Sequence, residues 1–354
     1  MDDGRWKIAT VDVDKYRSDD RVEVDALFRR VFGDAQADAS AQRWNWQYGR
    51  NPNADGPQIW IARDGGRIVG QYATMPVRLS VAGHEVDASW GMDVMVAPER
   101  QRQGLGEILF QTWDRHSGAS LGMGLSVGSH RLFRKLKWPD VGPVPCLVKP
   151  LARRALVRPG WPHVANGVVS LLAAPVIHAL RERGPIDPGV RRFEHFDTRF
   201  TDLWQRVSSK FDFAVRRDAG YLEWKYVEVP HLRHSIIALE REGRIDGYAV
   251  VRHSDEARGR VTVLIDFLAD PDDRETFLAL LRFIERDSRE AGSNRIRAFS
   301  MNAAFREAMQ AQRYFRVASS VQLVAKVNAV SVGPAFYADT KKWHVTFGDS
   351  DQDR

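Results

Sequence analysis

Apolar residues recur at helical spacing across residues 22–32, with Arg29 and Arg30 on the polar side, and this predicts a helix. Alternating apolar and polar positions predict strands at 58–63 and 67–75 around the turn Asp64-Gly65-Gly66. The same alternation predicts two more strands at 77–82 and 85–96 around Gly83-His84. A helix is expected from Gly104 to about Ser117, a short strand at 121–127 and a further helix at about 129–137. Helix, meander, helix, strand, helix is an α/β or α+β order.

Much of this pattern occurs twice. DALFRRV (25–31) has a counterpart in DLWQRV (202–207), and Trp46-Gln47-Tyr48 ahead of Pro52 has one in Trp224-Lys225-Tyr226 ahead of Pro230. IWIARDGGRIVGQYA (59–73) matches IIALEREGRIDGYAV (236–250), and MDVMVAP (92–98) matches IDFLADP (265–271). Four matches in one order predict a tandem duplication of domain-sized units. The aromatic clusters Trp44/Trp46/Tyr48 and Trp224/Tyr226 belong to both copies, which favours packing over ligand stacking.

The expected partition is 1–149 and 196–330 for the two copies, 150–195 for a Pro- and Arg-rich helical connector, and 331–354 for a C-terminal tail. Inside the connector, residues 164–180 are apolar but shorter than the roughly 20 residues of a membrane span, and Asn166, Pro175 and His178 interrupt them. They read as a packed helix, with peripheral membrane contact through an apolar helix and basic flanks as the alternative.

Composition narrows the chemistry. One cysteine, Cys146, excludes a disulfide framework, and a cysteine-based zinc site would need at least three His or carboxylate partners, so no metal is expected. The first residues have no apolar core of a signal peptide, and the chain reads as cytoplasmic. A net charge of +6, from 52 basic and 46 acidic residues, fits one anionic ligand and is too mixed for a nucleic-acid binder.

The sharpest feature is VAPERQRQGLGEILFQTW (96–113), in which a strand ends at Pro98, a basic turn follows, and Gly104-Leu105-Gly106 opens an amphipathic helix. Glycines let backbone N–H groups approach a ligand, and the helix N-terminus adds positive partial charge, so the turn is an anion site. Arg100 and Arg102 would add formal charge. Gln101-Arg102-Gln103-Gly104-Leu105-Gly106 resembles the Q/R-x-x-G-x-G/A signature of the GNAT superfamily of acyl-CoA-dependent N-acyltransferases. LSVGSHRLFRKLKW (125–138) is similar to that family's second cofactor segment, and residues 200–327 resemble a weaker second copy.

The resemblance implies two tandem GNAT-like domains, each a mixed, mostly antiparallel sheet flanked by helices. It implies that backbone groups of Arg102 to Glu107 hold the CoA pyrophosphate, with Gln101 in the same turn. Val94, Met95 and Val96 would pair with the pantetheine arm, and Ser126 and Phe133 would face the cofactor. Acetyl-CoA or another acyl-CoA is the implied co-substrate, and a primary amine of a small molecule or amino sugar the acceptor.

Departures from the family pattern leave the proton chemistry open. The family's frequent acid, a tyrosine, is replaced by Phe133, its asparagine by Ser126 and its Gly-Phe ending by Lys137-Trp138. His130 and Tyr72 are candidate substitutes, with water as the third. Asp93 is the carboxylate on the cofactor strand and a candidate for amine handling, but Asp266 matches it in the second copy, which suggests a structural role such as pairing with an arginine. That copy carries Pro271-Asp272-Asp273 where the glycine turn belongs, so it is not expected to bind CoA. The leading reading is an N-acyltransferase; the alternative is a non-catalytic CoA-binding or assembly protein. Oligomeric state is not readable.

Overall fold

The structure, a computed structural model, describes residues 11–156, 175, 177–181 and 184–351. The first half of the chain forms β1 (Val11–Lys15), α1 (Arg21–Phe32), α2 (Asp34–Trp44), β2 (Ile59–Asp64), β3 (Arg67–Val81), β4 (His84–Val96), α3 (Leu105–Arg115), β5 (Ala119–Met123), α4 (Val127–Lys135), β6 (Asp140–Pro143) and β7 (Cys146–Pro150). The second half forms β8 (Val190–Phe193), α5 (Thr198–Val207), β9 (Phe213–Val215), α6 (Ala219–Tyr226), β10 (Ser235–Arg241), β11 (Arg244–Glu256), β12 (Gly259–Ala269) and α7 (Arg274–Glu290). It ends with β13 (Arg295–Phe299), α8 (Ala303–Ala311), β14 (Phe315–Val317), β15 (Gln322–Val327), α9 (Pro334–Ala338) and β16 (Trp343–His344).

Two compact units result. One contains the described residues up to Gly142 with Glu228–His231 and Leu323–Pro334; the other contains Pro143–Val227, Leu232–Gln322 and the chain from Ala335. The first unit's strands run β1-β2-β3-β4-β5-β15-β6 and the second's β14-β7-β13-β12-β11-β10-β8. In the first sheet β1–β2, β2–β3, β3–β4 and β5–β15 pair antiparallel and β4–β5 parallel; in the second, β14–β7, β7–β13, β12–β11, β11–β10 and β10–β8 pair antiparallel and β13–β12 parallel.

The linear partition expected from sequence misses an exchange of strands. β7 follows the first unit in sequence, yet it pairs with β13 and β14 in the second sheet. β15 comes from the second half and pairs with β5 in the first sheet. Within the expected tail 331–354, Trp343, His344 and Thr346 are instead fully buried in the second unit. The apolar stretch 164–180 lies mostly outside the described residues, and among the described residues no helix is long and apolar enough to cross a membrane.

The duplication is visible in strand register. The β2–β3 hairpin has an irregularity between Ala62 and Arg63, and β10–β11 has one between Leu239 and Glu240, the same place after a shift of 177 positions (62 to 239). Gly70 then faces Val96, and its counterpart Gly247 faces Ala269. Counting back three residues along β4 and β12 makes Asp93 the equivalent of Asp266.

Two strand predictions change on inspection. The expected strands 67–75 and 77–82 are one strand, β3, because register with β4 continues unbroken from Ala73 to Val81 through Pro76. Its carbonyl accepts from Asn51 Nδ2 at 3.0 Å. The expected strand 121–127 stops at Met123, because Gly124 takes a positive φ and Ser126 caps α4. α3 packs on the sheet through Leu105, Leu109, Phe110 and Trp113, all buried. Gly70 permits this approach, since a Cβ there would lie 3.2 Å from Leu109 Cδ1.

Candidate functional site

The turn between β4 and α3 is held by its own side chains. Gln101 Nε2 donates to Val96 O at 3.1 Å, and Gln103 Nε2 donates to Glu99 O at 3.0 Å. Arg102 takes φ +62° and Gly104 φ +85°, so two residues in the left-handed region reverse the chain into the helix. Only glycine adopts that region without cost from a Cβ. The first helical bond is Ile108 N to Gly104 O. The amides of Leu105, Gly106 and Glu107 precede it, and no side chain caps them. A Cβ on Gly106 would meet nothing within 4 Å, so its face of the helix start is clear.

Charge at the turn differs from the sequence expectation. Arg100 is ion-paired with Asp64, and Glu99 receives two hydrogen bonds from Arg30. Arg102 is exposed and forms no ion pair among the described residues, so it is the cation left beside the helix start. Glu107 is held by Lys135 at 2.5 Å.

β4 approaches this turn through a bulge. Gln71 faces Met95 and Ala73 faces Met92, so the single residue Tyr72 opposes both Asp93 and Val94. Asp93 takes φ +32° there, a region that Asp tolerates better than most residues. Tyr48 donates to Asp93 Oδ2 at 2.6 Å, and Gln71 Nε2 donates to Asp93 O at 3.3 Å. Sequence reasoning placed Tyr48 with core packing and missed this contact. Its signal was present: the two residues belong to the two segments that recur together in the repeat.

Parallel pairing of β4 with β5 covers only Ala88 to Trp90. Beyond Trp90, β4 has no β5 partner, and Asp93, Val94 and Val96 are half-buried while Met95 turns into the core. Strand edge and helix start therefore lie at the two ends of one short segment, residues 94–107.

The remaining expected residues fall elsewhere. Ser126 is the N-cap of α4, accepting from Ser129 N at 3.1 Å. Phe133 is 1% exposed and packs on Phe110 and Trp138, so its side chain is a core element and presents no face to a ligand. His130 Nε2 lies 2.9 Å from Asp140 Oδ2. Tyr72 is stacked on Trp113 at 4.8 Å, and burial pushes its phenol well above the usual tyrosine range. Burial likewise pushes the Cys146 thiol up to about 11, which makes it a poor nucleophile.

The second unit lacks this arrangement. α7 begins with Asp273, whose carboxylate accepts from Thr276 N at 3.1 Å and Thr276 Oγ1 at 2.7 Å. Its helix start is occupied by its own anion. Lys210 gathers Asp270 and Asp272 at 2.7 and 2.8 Å. Asp266 is buried against Arg217 at 3.0 Å, the structural pairing that the repeat suggested.

Comparison with known proteins gives these features a family. Residues 12–128 match the family model described as an acetyltransferase (GNAT) domain. Among solved structures, a conserved protein from Enterococcus faecalis described as a probable N-acyltransferase superposes with TM-score 0.63 at 12% identity, covering 90% of this chain and 73% of that one. A GCN5-related N-acetyltransferase from Anabaena variabilis gives 0.62 at 12%, with the same coverages. Saccharomyces cerevisiae N-myristoyltransferase with bound myristoyl-CoA gives 0.57 at 13%, covering 90% and 83%. No curated protein matches in sequence. Residues 12–128 thus match a GNAT domain, and the fold of the chain is like that of solved GNAT-type N-acyltransferases.

Proposed function

We propose that the first unit transfers an acyl group from acyl-CoA to a primary amine of a small molecule or amino sugar. The observation that carries this reading is the uncapped start of α3, reached through a left-handed Gly104 and clear at Gly106, directly after the bulged end of β4 that β5 leaves unpaired on one side. The amides of Leu105 to Glu107, with Arg102 beside them, suit a pyrophosphate. The edge of β4 beyond Trp90 that faces away from β3, where β5 no longer pairs, suits an amide-bearing pantetheine arm and a thioester carbonyl that gains negative charge during attack.

The reaction needs an amine that has lost its proton. The neutral nitrogen attacks the thioester carbon, a C–N bond forms, the C–S bond breaks, and the nitrogen sheds a second proton while the thiolate gains one. Asp93, oriented by Tyr48, is the group we assign to holding the incoming ammonium at the bulge. Phe133 has no proton to give, and the Tyr72 phenol is made a weaker acid by burial, so we assign protonation of the thiolate to water. A small acceptor is favoured over a basic protein tail because the chain shows no long acidic run.

Calorimetry with acetyl-CoA and longer acyl-CoAs tests the donor. Binding is expected, with at least a tenfold loss in Gly106→Trp at unchanged far-UV circular dichroism; unaltered binding by that variant overturns the assignment. Thiol release across an amine panel tests the transfer. Binding without thiol release for any amine would favour the non-catalytic reading, which the buried Phe133 at the usual acid position supports.

A further inference from the structure

The parallel strands of the second unit splay as β4 and β5 do. β12 pairs with β13 only from Val261 to Leu264, although β12 continues to Ala269. The gap is filled by the chain itself. His344 Nε2 donates to Phe267 O at 2.7 Å on the β12 side, and Met301 N donates to Val345 O at 3.2 Å on the β13 side. Phe347 stacks on Phe299, with ring centroids 4.7 Å apart. Gly348 lies so close to β12 that a Cβ would stand 3.1 Å from Ile265 O and 2.3 Å from the Tyr226 hydroxyl.

Charge fixes the segment at one end. Arg217 spans Asp266 of β12 at 3.0 Å and Asp349 of the inserted segment at 2.9 Å. Thr346 Oγ1 donates to Asp266 Oδ1 at 2.9 Å, and Lys225 Nζ donates to Ser350 O at 2.9 Å. Five of these partners, Arg217, Asp266, Thr346, Asp349 and Ser350, are at most 3% exposed. By the register equivalence, this is the position in the second unit that corresponds to Asp93 and Val94 in the first.

We propose that the splayed strands of the second unit are a binding slot for an extended peptide, and that residues 343–350 are its resident ligand. The recognition chemistry is a short extended strand followed by a tight turn with one carboxylate, read by the parallel edge of β9, the Phe267 carbonyl of β12 and the Arg217 guanidinium. A duplicated fold whose splay held a separate molecule would need the slot filled once its phosphate turn was lost. Here the chain supplies the filler, and the slot is occupied whether or not the first unit binds acyl-CoA.

The test uses the full chain with a protease recognition sequence inserted after Ser331, in coil. After cleavage the fragment is expected to stay bound through size-exclusion chromatography. A fluorescein-labelled peptide of residues 333–354 is expected to exchange into the slot saturably, with far-UV circular dichroism unchanged. Competition by the Asp349→Asn peptide is expected to be at least tenfold weaker. Absence of exchange, unfolding on cleavage or on release, or equal competition by the Asp349→Asn peptide would each overturn the proposal and make the segment ordinary core.

Discussion

The hydroxyl of Tyr48, in the turn that follows α2, donates to the carboxylate of Asp93 at the bulge of β4. The matching tyrosine and aspartate of the second unit, Tyr226 and Asp266, are both buried, and the carboxylate there is committed to Arg217. In that unit the tyrosine that donates to the carboxylate is Tyr248, at 3.0 Å, so the equivalent aspartate is half-buried in one copy and sealed in the other. Tyr48→Phe is expected to lower stability by about 1 kcal/mol, since one hydrogen bond to a partly solvated carboxylate is lost. If Asp93 holds the acceptor, the variant also raises KM for amine more than it lowers kcat. Steady-state kinetics over amine concentration check this.

Gly91 faces the ring of Tyr72. A Cβ at residue 91 would lie 2.0 Å from the tyrosine hydroxyl and 2.9 Å from Cζ. Gly91→Ala is expected to cost about 1–3 kcal/mol by overpacking. Adding Tyr72→Phe should recover part of that loss, because the nearest atom is removed and the next remain close. Urea denaturation of the two single variants and the double variant measures the coupling.

His344 carries a pH dependence. Burial first, and the nearby Arg217 second, pull its ring down to about 3. The folded ring therefore stays neutral where the unfolded chain takes up a proton. Its contribution is fully present above about pH 6.5 and is lost as pH falls toward about 3, with a slope of at most about 1.4 kcal/mol per pH unit. His344→Gln, which keeps a donor for Phe267 O, should flatten that slope in urea melts between pH 7 and 4.

Lys149, on the exchanged strand β7, is 1% exposed and ion-paired with the buried Glu285 of α7. Lys149→Met is expected to cost about 3 kcal/mol because it strands a buried carboxylate, although Arg289 still contacts it. Lys149→Met combined with Glu285→Leu should recover most of the loss, read by thermal unfolding.

The sequence showed most of what repeats. The hairpins at 59–73 and 236–250 share apolar alternation, turn residues and glycine spacing, and the structure gives them the same register down to one bulge. The glycine turn was equally legible, because Gly104 and Gly106 stand between a strand and an amphipathic helix. What could not be read is long-range assignment. CLVKP and QLVAKV both read as strands, but nothing in either stretch says which sheet it joins. Burial of Phe133 was hidden for a similar reason: a helix pattern shows which face is apolar, not whether one ring on it meets solvent or Trp138. The 343–350 segment was expected only as part of a C-terminal tail because its Asp349 and His344 find their partners more than 70 residues away.

The exchanged strands have a consequence for biosynthesis. Leu323 pairs with Met123, 200 residues earlier in the chain. At ribosomal rates of roughly 5–20 residues per second, the edge of β5 waits about 10–40 s for β15 to be made. During that interval a fully buried apolar strand edge has no partner of its own, which is a hazard for pairing with other chains. Expression of this protein should thus be sensitive to translation speed and chaperone supply between residues 123 and 323. Neither half, made alone, can complete its own sheet.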